Sequence, residues 1–99
     1  MSLESEFTKA LERTIEAAKS HKYFPTYFMQ MLAEHGGVET AKRLLATKEP
    51  QSGLFELYHI GLLHESMEAV VLQEKFKALF TEDELAEAHK RLEELDYFK

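Results

Sequence analysis

Cysteine is absent from this 99-residue chain, and its absence excludes disulfide bonds, thiolate metal sites and cysteine nucleophiles. Tryptophan is also absent, and only two prolines and four glycines interrupt the sequence. The longest uninterrupted apolar run, residues 69–72, is far shorter than the ~20 residues of a membrane-spanning helix. The first residues lack the basic and apolar regions of a signal peptide. These absences favour a cytoplasmic protein that is neither secreted by this route nor embedded in a membrane.

Acidic residues outnumber basic ones by 18 to 12, which gives a formal net charge of −6. The charge is uneven, because residues 9–48 carry seven basic and four acidic side chains, whereas residues 49–99 carry five basic and twelve acidic ones. A net negative charge disfavours general binding to a phosphate backbone. The opposite charges of the two halves suggest head-to-tail self-association as a hypothesis.

The spacing of apolar residues predicts an all-α fold. Apolar side chains recur three and four positions apart, and no segment shows the strict alternation of a half-buried strand. We expect one domain over residues 4–98, with residues 1–3 as an expression remnant. Its architecture is predicted to be a compact bundle of six to seven short helices, orthogonal rather than long and up-down. The predicted helices cover about residues 3–21, 25–35, 38–47, 54–60, 67–72, 76–80 and 82–96, the fifth and sixth being either separate or continuous.

Local signals set several of these boundaries. Pro25 ends the first helix and opens the second, because the residue before a proline is pushed out of the helical region and proline is tolerated in a first turn. The pair Gly36-Gly37 is expected to end the second helix in a left-handed cap. Ser66 is a predicted N-cap, and Thr81 with Glu84 has the form of a capping box.

Two stretches of the chain resemble a known family. The first is Tyr23-x-Pro25-Thr26-x-Phe28-x-x-Met31, and the second is Gly36-Gly37-Val38-x-x-Ala41-Lys42-x-Leu44-Leu45. Together with Gly53-x-x-x-Leu57, Glu68-Ala69-x-Val71-Leu72 and Phe76-x-x-Leu79-Phe80, they are similar over residues 22–98 to a small bacterial helical domain of uncharacterised function. That domain occurs alone or attached to larger proteins that include nucleases. The resemblance implies an accessory module and supplies no catalytic residues.

Residues with catalytic or metal-binding chemistry form no recognisable motif. The local cluster with ligand chemistry is formed by His59, His64, Glu65 and Glu68, and no His-Glu-x-x-His motif occurs. The acidic residues of the last predicted helix flank its apolar stripe. Several of them lie at pairing distance from Lys90 and Arg91, as on a solvated face. We therefore expect no enzymatic activity, no cofactor and no bound metal. A metal-dependent enzyme would require His35, His59, His64 or His89 to converge with carboxylates.

The residues favoured for partner binding lie in the first half of the chain. Four aromatic side chains surround Pro25, and they cannot all face one core because successive helical residues point in different directions. Phe28 is assigned to the core, whereas Tyr23 and Tyr27 are candidate interface anchors together with the basic pair Lys42 and Arg43. The acidic face of the last helix is a further candidate surface.

The predicted function is that of a non-catalytic accessory or protein–protein interaction module. The alternative is a nucleic-acid-binding accessory domain that uses a basic face within residues 19–48. That face would comprise Lys19, Lys22, Lys42, Arg43 and Lys48.

Overall fold

The described part of the chain, residues 2–47 and 52–98 of a computed structural model, is helical and contains no β-strand. The predicted all-α class is therefore confirmed. Five α-helices and two 3₁₀ helices follow one another over the described residues: α1 (Leu3–Ser20), α2 (Thr26–Ala46), α3 (Ser52–His59), η1 (Leu63–Glu65), α4 (Met67–Val71), η2 (Glu74–Leu79) and α5 (Glu82–Glu93).

Helix α1 begins at a side-chain cap and ends in a left-handed turn. The Ser2 hydroxyl accepts a hydrogen bond from the Ser5 amide at 3.1 Å, and Leu3 packs against the main core, so both belong to the folded domain. At the other end Lys22 has φ 64°. The Tyr23 amide donates to the Ala18 carbonyl and the Lys22 amide to the Lys19 carbonyl, which is a Schellman motif. This turn reverses the chain just before Pro25.

Helix α2 contains the predicted glycine break, a kink at which two helical segments meet directly. Gly36 has φ 78° and ψ 171°, a conformation that is open to glycine and strained for other residues. The neighbouring Gly37 has a separate role, because it lies directly against α1. Its amide donates to the Thr8 hydroxyl at 3.0 Å, and a Cβ at Gly37 would lie 2.8 Å from the Thr8 Cα. Gly37 thus allows the two helices to cross in close contact.

The main core is built around Phe7 of α1. Its ring meets those of Phe76 and Phe80 edge to face, each with a centroid distance of 5.2 Å. Apolar residues of α1, α2, α4 and α5 complete this cluster, and a smaller one forms around Leu92. Both Phe76 and Leu92 are fully buried, so the second half of the chain closes over the first.

The second half differs from the prediction in two details. Residues 74–79 form a 3₁₀ helix, and Gln73 has extended φ/ψ, so this element is separate from α4 and tighter than an α-helix. Helix α5 ends at Glu93 rather than near Asp96, because Asp96 takes a left-handed φ of 61° in a second Schellman motif. The predicted capping box of Thr81 and Glu84 is confirmed, as is the N-cap at Ser66.

Candidate functional site: an aromatic pocket beside a buried arginine

The segment between α1 and α2 carries aromatic side chains into solvent. After the turn at Lys22, Pro25 forms an inverse γ-turn with φ −78° and ψ 74°, in which the Thr26 amide donates to the Phe24 carbonyl at 2.8 Å. These two successive turns leave Phe24 59% exposed and Tyr27 69% exposed. Phe28 instead packs against the main core, where the sequence analysis placed it.

The same segment forms one wall of a pocket of about 300 Å³, a volume at the lower end of the range for ligand sites. Residues 23–28 all line it. The other walls are formed by α1, α2, α3 and α4. Their lining residues are Thr14 and Ala18 of α1, Leu44 of α2, Gly53, Leu54 and Leu57 of α3, and Met67 and Glu68 of α4. Four elements that are distant in sequence therefore meet around one cavity.

Tyr23 is a half-buried member of the aromatic wall. Its hydroxyl lies 3.4 Å from the position that a Cβ would occupy at Gly53, an ordinary contact distance, so the phenol lies beside the start of α3. Burial raises the pKa of Tyr23, and the negative charge of Glu56 raises it further. The phenol therefore keeps its proton at neutral pH and presents a hydrogen-bond donor to the pocket.

Glu68 places a buried carboxyl group at the pocket wall. Its side chain is 4% exposed, and its Oε2 accepts from Nη1 of Arg91, itself 8% exposed, at 3.1 Å. Burial raises the pKa of Glu68, and the charge and hydrogen bond of Arg91 partly oppose that rise.

Arg91 joins Glu68 to the end of α2. Its Nε donates to Oε2 of Glu87 at 2.8 Å, and its Nη2 donates to the carbonyls of Leu44 at 2.9 Å and Thr47 at 3.0 Å. The guanidinium thus donates to main-chain carbonyls where α2 ends, and the Leu44 carbonyl also accepts from the Thr47 hydroxyl at 2.8 Å. We call Glu68, Glu87 and Arg91 the arginine cluster.

The prediction that Arg91 lies on a solvated face of the last helix is wrong, because its side chain is 8% exposed. One local signal could have identified it. Arg91 lies three residues after Ala88 and four before Leu95, so it shares the apolar side of α5 with them. From the sequence, Glu68 was also a candidate metal ligand, whereas the structure pairs its carboxylate with Arg91.

The structure brings together two of the four predicted partner-binding residues. Tyr23 and Tyr27 share the pocket, but Lys42 and Arg43 do not line it. Lys42 Nζ lies 2.8 Å from Oε1 of Glu84 and 5.3 Å from the centroid of the Phe80 ring. Lys42 borders a second, more open pocket.

Arg43 pairs with Glu39 at 2.9 Å on the surface of α2. Lys19 and Lys22 lie at the end of α1, and Lys48, the fifth residue of the predicted basic face, lies outside the described residues. Ion pairs therefore offset two of the five positive charges on which the nucleic-acid hypothesis depends.

The histidine cluster near η1 does not form a multidentate site in the described part of the chain. His64 lies beside Glu65 at 3.8 Å, and no three or more His, Asp or Glu side chains of residues 2–47 and 52–98 are arranged to hold a metal ion. Over the same residues, no helix has the length and apolar character needed to cross a membrane.

No protein-family model, curated protein or solved structure matches the chain. The resemblance to the small helical domain family therefore stays a prediction. What the site can do follows from its own residues: a concave surface with apolar and aromatic walls, a protonated phenol and one buried carboxyl group. Such a surface is suited to holding a side chain or a small ligand.

Proposed function

We propose that the chain is a non-catalytic protein-interaction module whose aromatic pocket holds a side chain of a partner protein. The observation that carries this proposal is the exposure of Phe24 and Tyr27 on the wall of a pocket of about 300 Å³. Exposed aromatic side chains beside a concave site are frequent anchors of protein interfaces, because they lose much water-accessible area and little conformational entropy on binding.

The cytoplasm is the compartment we infer, which the lack of cysteine supports. The non-catalytic assignment is supported by the arrangement of the acidic groups at the pocket. The Glu68 carboxylate is held by the Arg91 guanidinium, so it is not positioned as a general base with a second facing carboxylate.

Affinity capture with matched variants tests the proposal. The wild-type chain, Tyr27→Ala and Tyr58→Ala serve as bait, and each lysate is divided into untreated and nuclease-treated portions. Tyr58 is 46% exposed and lies outside the pocket, so it is the control for loss of an exposed tyrosine. The expected result is a protein retained by the wild type and by Tyr58→Ala in both portions, and lost with Tyr27→Ala.

The affinity of each variant for that purified partner then measures how much the pocket contributes to the free energy of binding. Replacement of an interface anchor by alanine costs about 2 kcal/mol or more, so Tyr27→Ala should weaken binding by about thirtyfold. Equal affinities of Tyr27→Ala and the wild type would refute the pocket as the binding site. Retention that disappears after nuclease treatment would instead support the nucleic-acid alternative.

A second copy of the chain is the competing protein partner, given the opposite charges of the two halves. Light scattering at low and high salt distinguishes it, because association between oppositely charged surfaces weakens as salt screens them. We expect a monomer whose mass does not change with salt.

A further inference from the structure

We propose that the group bound in the aromatic pocket is a cation, the ammonium or guanidinium of a lysine or arginine side chain on the partner. This inference rests on the proposed function and specifies the chemistry of the side chain that the pocket accepts.

The first argument is the charge of the pocket wall. Glu68 is the acidic residue that lines it, and of the described residues that line it none is lysine, arginine or histidine. Lys19 and Lys22, at the end of α1, are not part of the lining. On the described lining an anionic group would therefore meet no cationic side chain, whereas a cationic group would meet an acidic residue, Glu68.

The second argument is the charge balance of the arginine cluster. One guanidinium contacts two carboxylates, Glu68 at 3.1 Å and Glu87 at 2.8 Å, and its other hydrogen bonds within the described residues go to main-chain carbonyl oxygens at the end of α2. With both carboxylates ionised, the cluster has one more negative charge than positive.

The third argument is the aromatic wall. Tyr23, Phe24, Tyr27 and Phe28 all border the cavity, and aromatic rings attract cations that lie over their faces. Leu54, Leu57 and Met67 provide apolar surface on the other walls. Lysine and arginine combine a long apolar stem with a charged end, so one side chain can use both kinds of surface.

A matched pair of probes tests the inference by NMR titration of the folded protein. The cationic probe is Nα-acetyl-lysine methylamide, and the neutral probe is Nα-acetyl-norleucine methylamide, which has a similar stem without the charge. We expect the lysine probe to shift the resonances of residues 23–28 with at least about tenfold higher affinity than the norleucine probe, the factor that 1.4 kcal/mol of electrostatic attraction gives.

Two variants separate the carboxylate from the rings. Tyr27→Leu keeps apolar volume and removes one aromatic face, so the lysine probe should lose about three- to thirtyfold in affinity while the norleucine probe changes little. Glu68→Gln removes the charge and should abolish the preference for lysine, provided that its circular dichroism matches that of the wild type. Tyr27 is 69% exposed, so Tyr27→Leu keeps the test valid if Glu68→Gln does not fold.

The possible outcomes distinguish this inference from the proposed function. Equal affinities for the two probes would overturn the cation assignment and leave an apolar interaction pocket. If neither probe shifts the pocket resonances, both proposals fail. Tyr58→Leu is the control variant, because it removes an exposed ring outside the pocket, and it should leave both affinities unchanged.

Discussion

Replacement of Arg91 by methionine is expected to lower the free energy of unfolding by about 3–5 kcal/mol, the usual cost of leaving one buried charge without its partner. The side chains of Arg91 and Glu68 are 8% and 4% exposed, so water cannot replace the lost guanidinium without a rearrangement. Methionine fills similar space but donates no hydrogen bond. The carbonyls of Leu44 and Thr47 also lose the bonds that Arg91 donates to them. Domains of this size are stable by about 5–15 kcal/mol, so the loss would be a large fraction of the total.

The loss should also depend on pH. Burial raises the pKa of Glu68, and Arg91 limits that rise, so Arg91→Met should raise the pKa further. Between the unfolded value of about 4.3 and the higher folded value, the folded state binds more protons than the unfolded state. The free energy of unfolding therefore falls as pH increases through this interval, by at most about 1.4 kcal/mol per pH unit. The stability contributed by the protonated form is fully present below the unfolded pKa and is lost above the folded pKa.

Urea unfolding followed by circular dichroism measures both effects, and we expect a larger deficit of Arg91→Met at about pH 8 than at about pH 5. Arg43→Met is the matched control, because Arg43 forms an exposed pair with Glu39 and its replacement should cost less than about 1 kcal/mol. The double variant Arg91→Met/Glu68→Met should recover more than about 1 kcal/mol relative to Arg91→Met, because it buries no uncompensated carboxylate. A cost below about 1 kcal/mol for Arg91→Met, independent of pH, would refute this reasoning.

Three further predictions concern the backbone and the start of α5, and urea unfolding tests each of them. Lys22→Gly should raise the free energy of unfolding by about 0.5–1 kcal/mol, because glycine adopts the left-handed backbone conformation of this position without strain. The control Glu12→Gly, within α1, should lower the free energy of unfolding by a similar amount. Equal losses in the two variants would contradict the strain at Lys22. Gly37→Ala should cost about 1–3 kcal/mol because the new methyl overlaps α1, whereas Gly53→Ala, with only ordinary contacts, should cost little. Below about pH 4.3, wild-type stability should fall as Glu84 gains a proton, and Glu84→Gln should lack that part of the fall; an unchanged acid profile would refute it.

The sign of the Glu84 prediction follows from its neighbours. Partial burial alone would raise the pKa of Glu84, but hydrogen bonds from the Lys42 ammonium and the Thr81 amide outweigh it and hold the pKa below its usual value. A carboxyl group with a lowered folded pKa contributes stability above its unfolded pKa and loses that contribution as pH falls through the folded value.

Features with a local cause could be predicted from sequence. The capping box of Thr81 and Glu84 needs residues three apart, and the N-cap at Ser66 needs only the amide of Ala69. The break at Gly36 follows from the conformational freedom of glycine. The all-α class itself follows from the apolar spacing, which is also a property of short segments.

Features that depend on distant contacts could not be predicted in this way. Arg91 pairs with Glu68, 23 residues earlier, and with carbonyls 44 and 47 positions away, and no local pattern joins these positions. Gly37 was assigned to a helix end, but its contact with Thr8 across the helix pair is what requires a glycine. Lys22 carries no turn signal of its own, because lysine is rare in left-handed conformation and the surrounding packing imposes it.

The candidate site could be predicted from sequence only in part, because it combines a local cluster with distant contacts. The cluster of aromatic residues around Pro25 could be recognised as a possible interface, and Tyr23 and Tyr27 do border one cavity. The opposite walls, Leu54, Leu57 and Glu68, come from later helices and appear only once the chain has folded.

The arginine cluster has a consequence for how the protein opens under native conditions. One guanidinium joins the end of α2 to α4 and α5. Separation of either later helix from α2 would therefore expose a buried charge to water or leave it without its partner. Amide protons in these three helices should therefore exchange with solvent deuterium in one cooperative event, close to the free energy of global unfolding. The end of α3, which has no bond to Arg91 among the described residues, is free to exchange by a smaller, local opening.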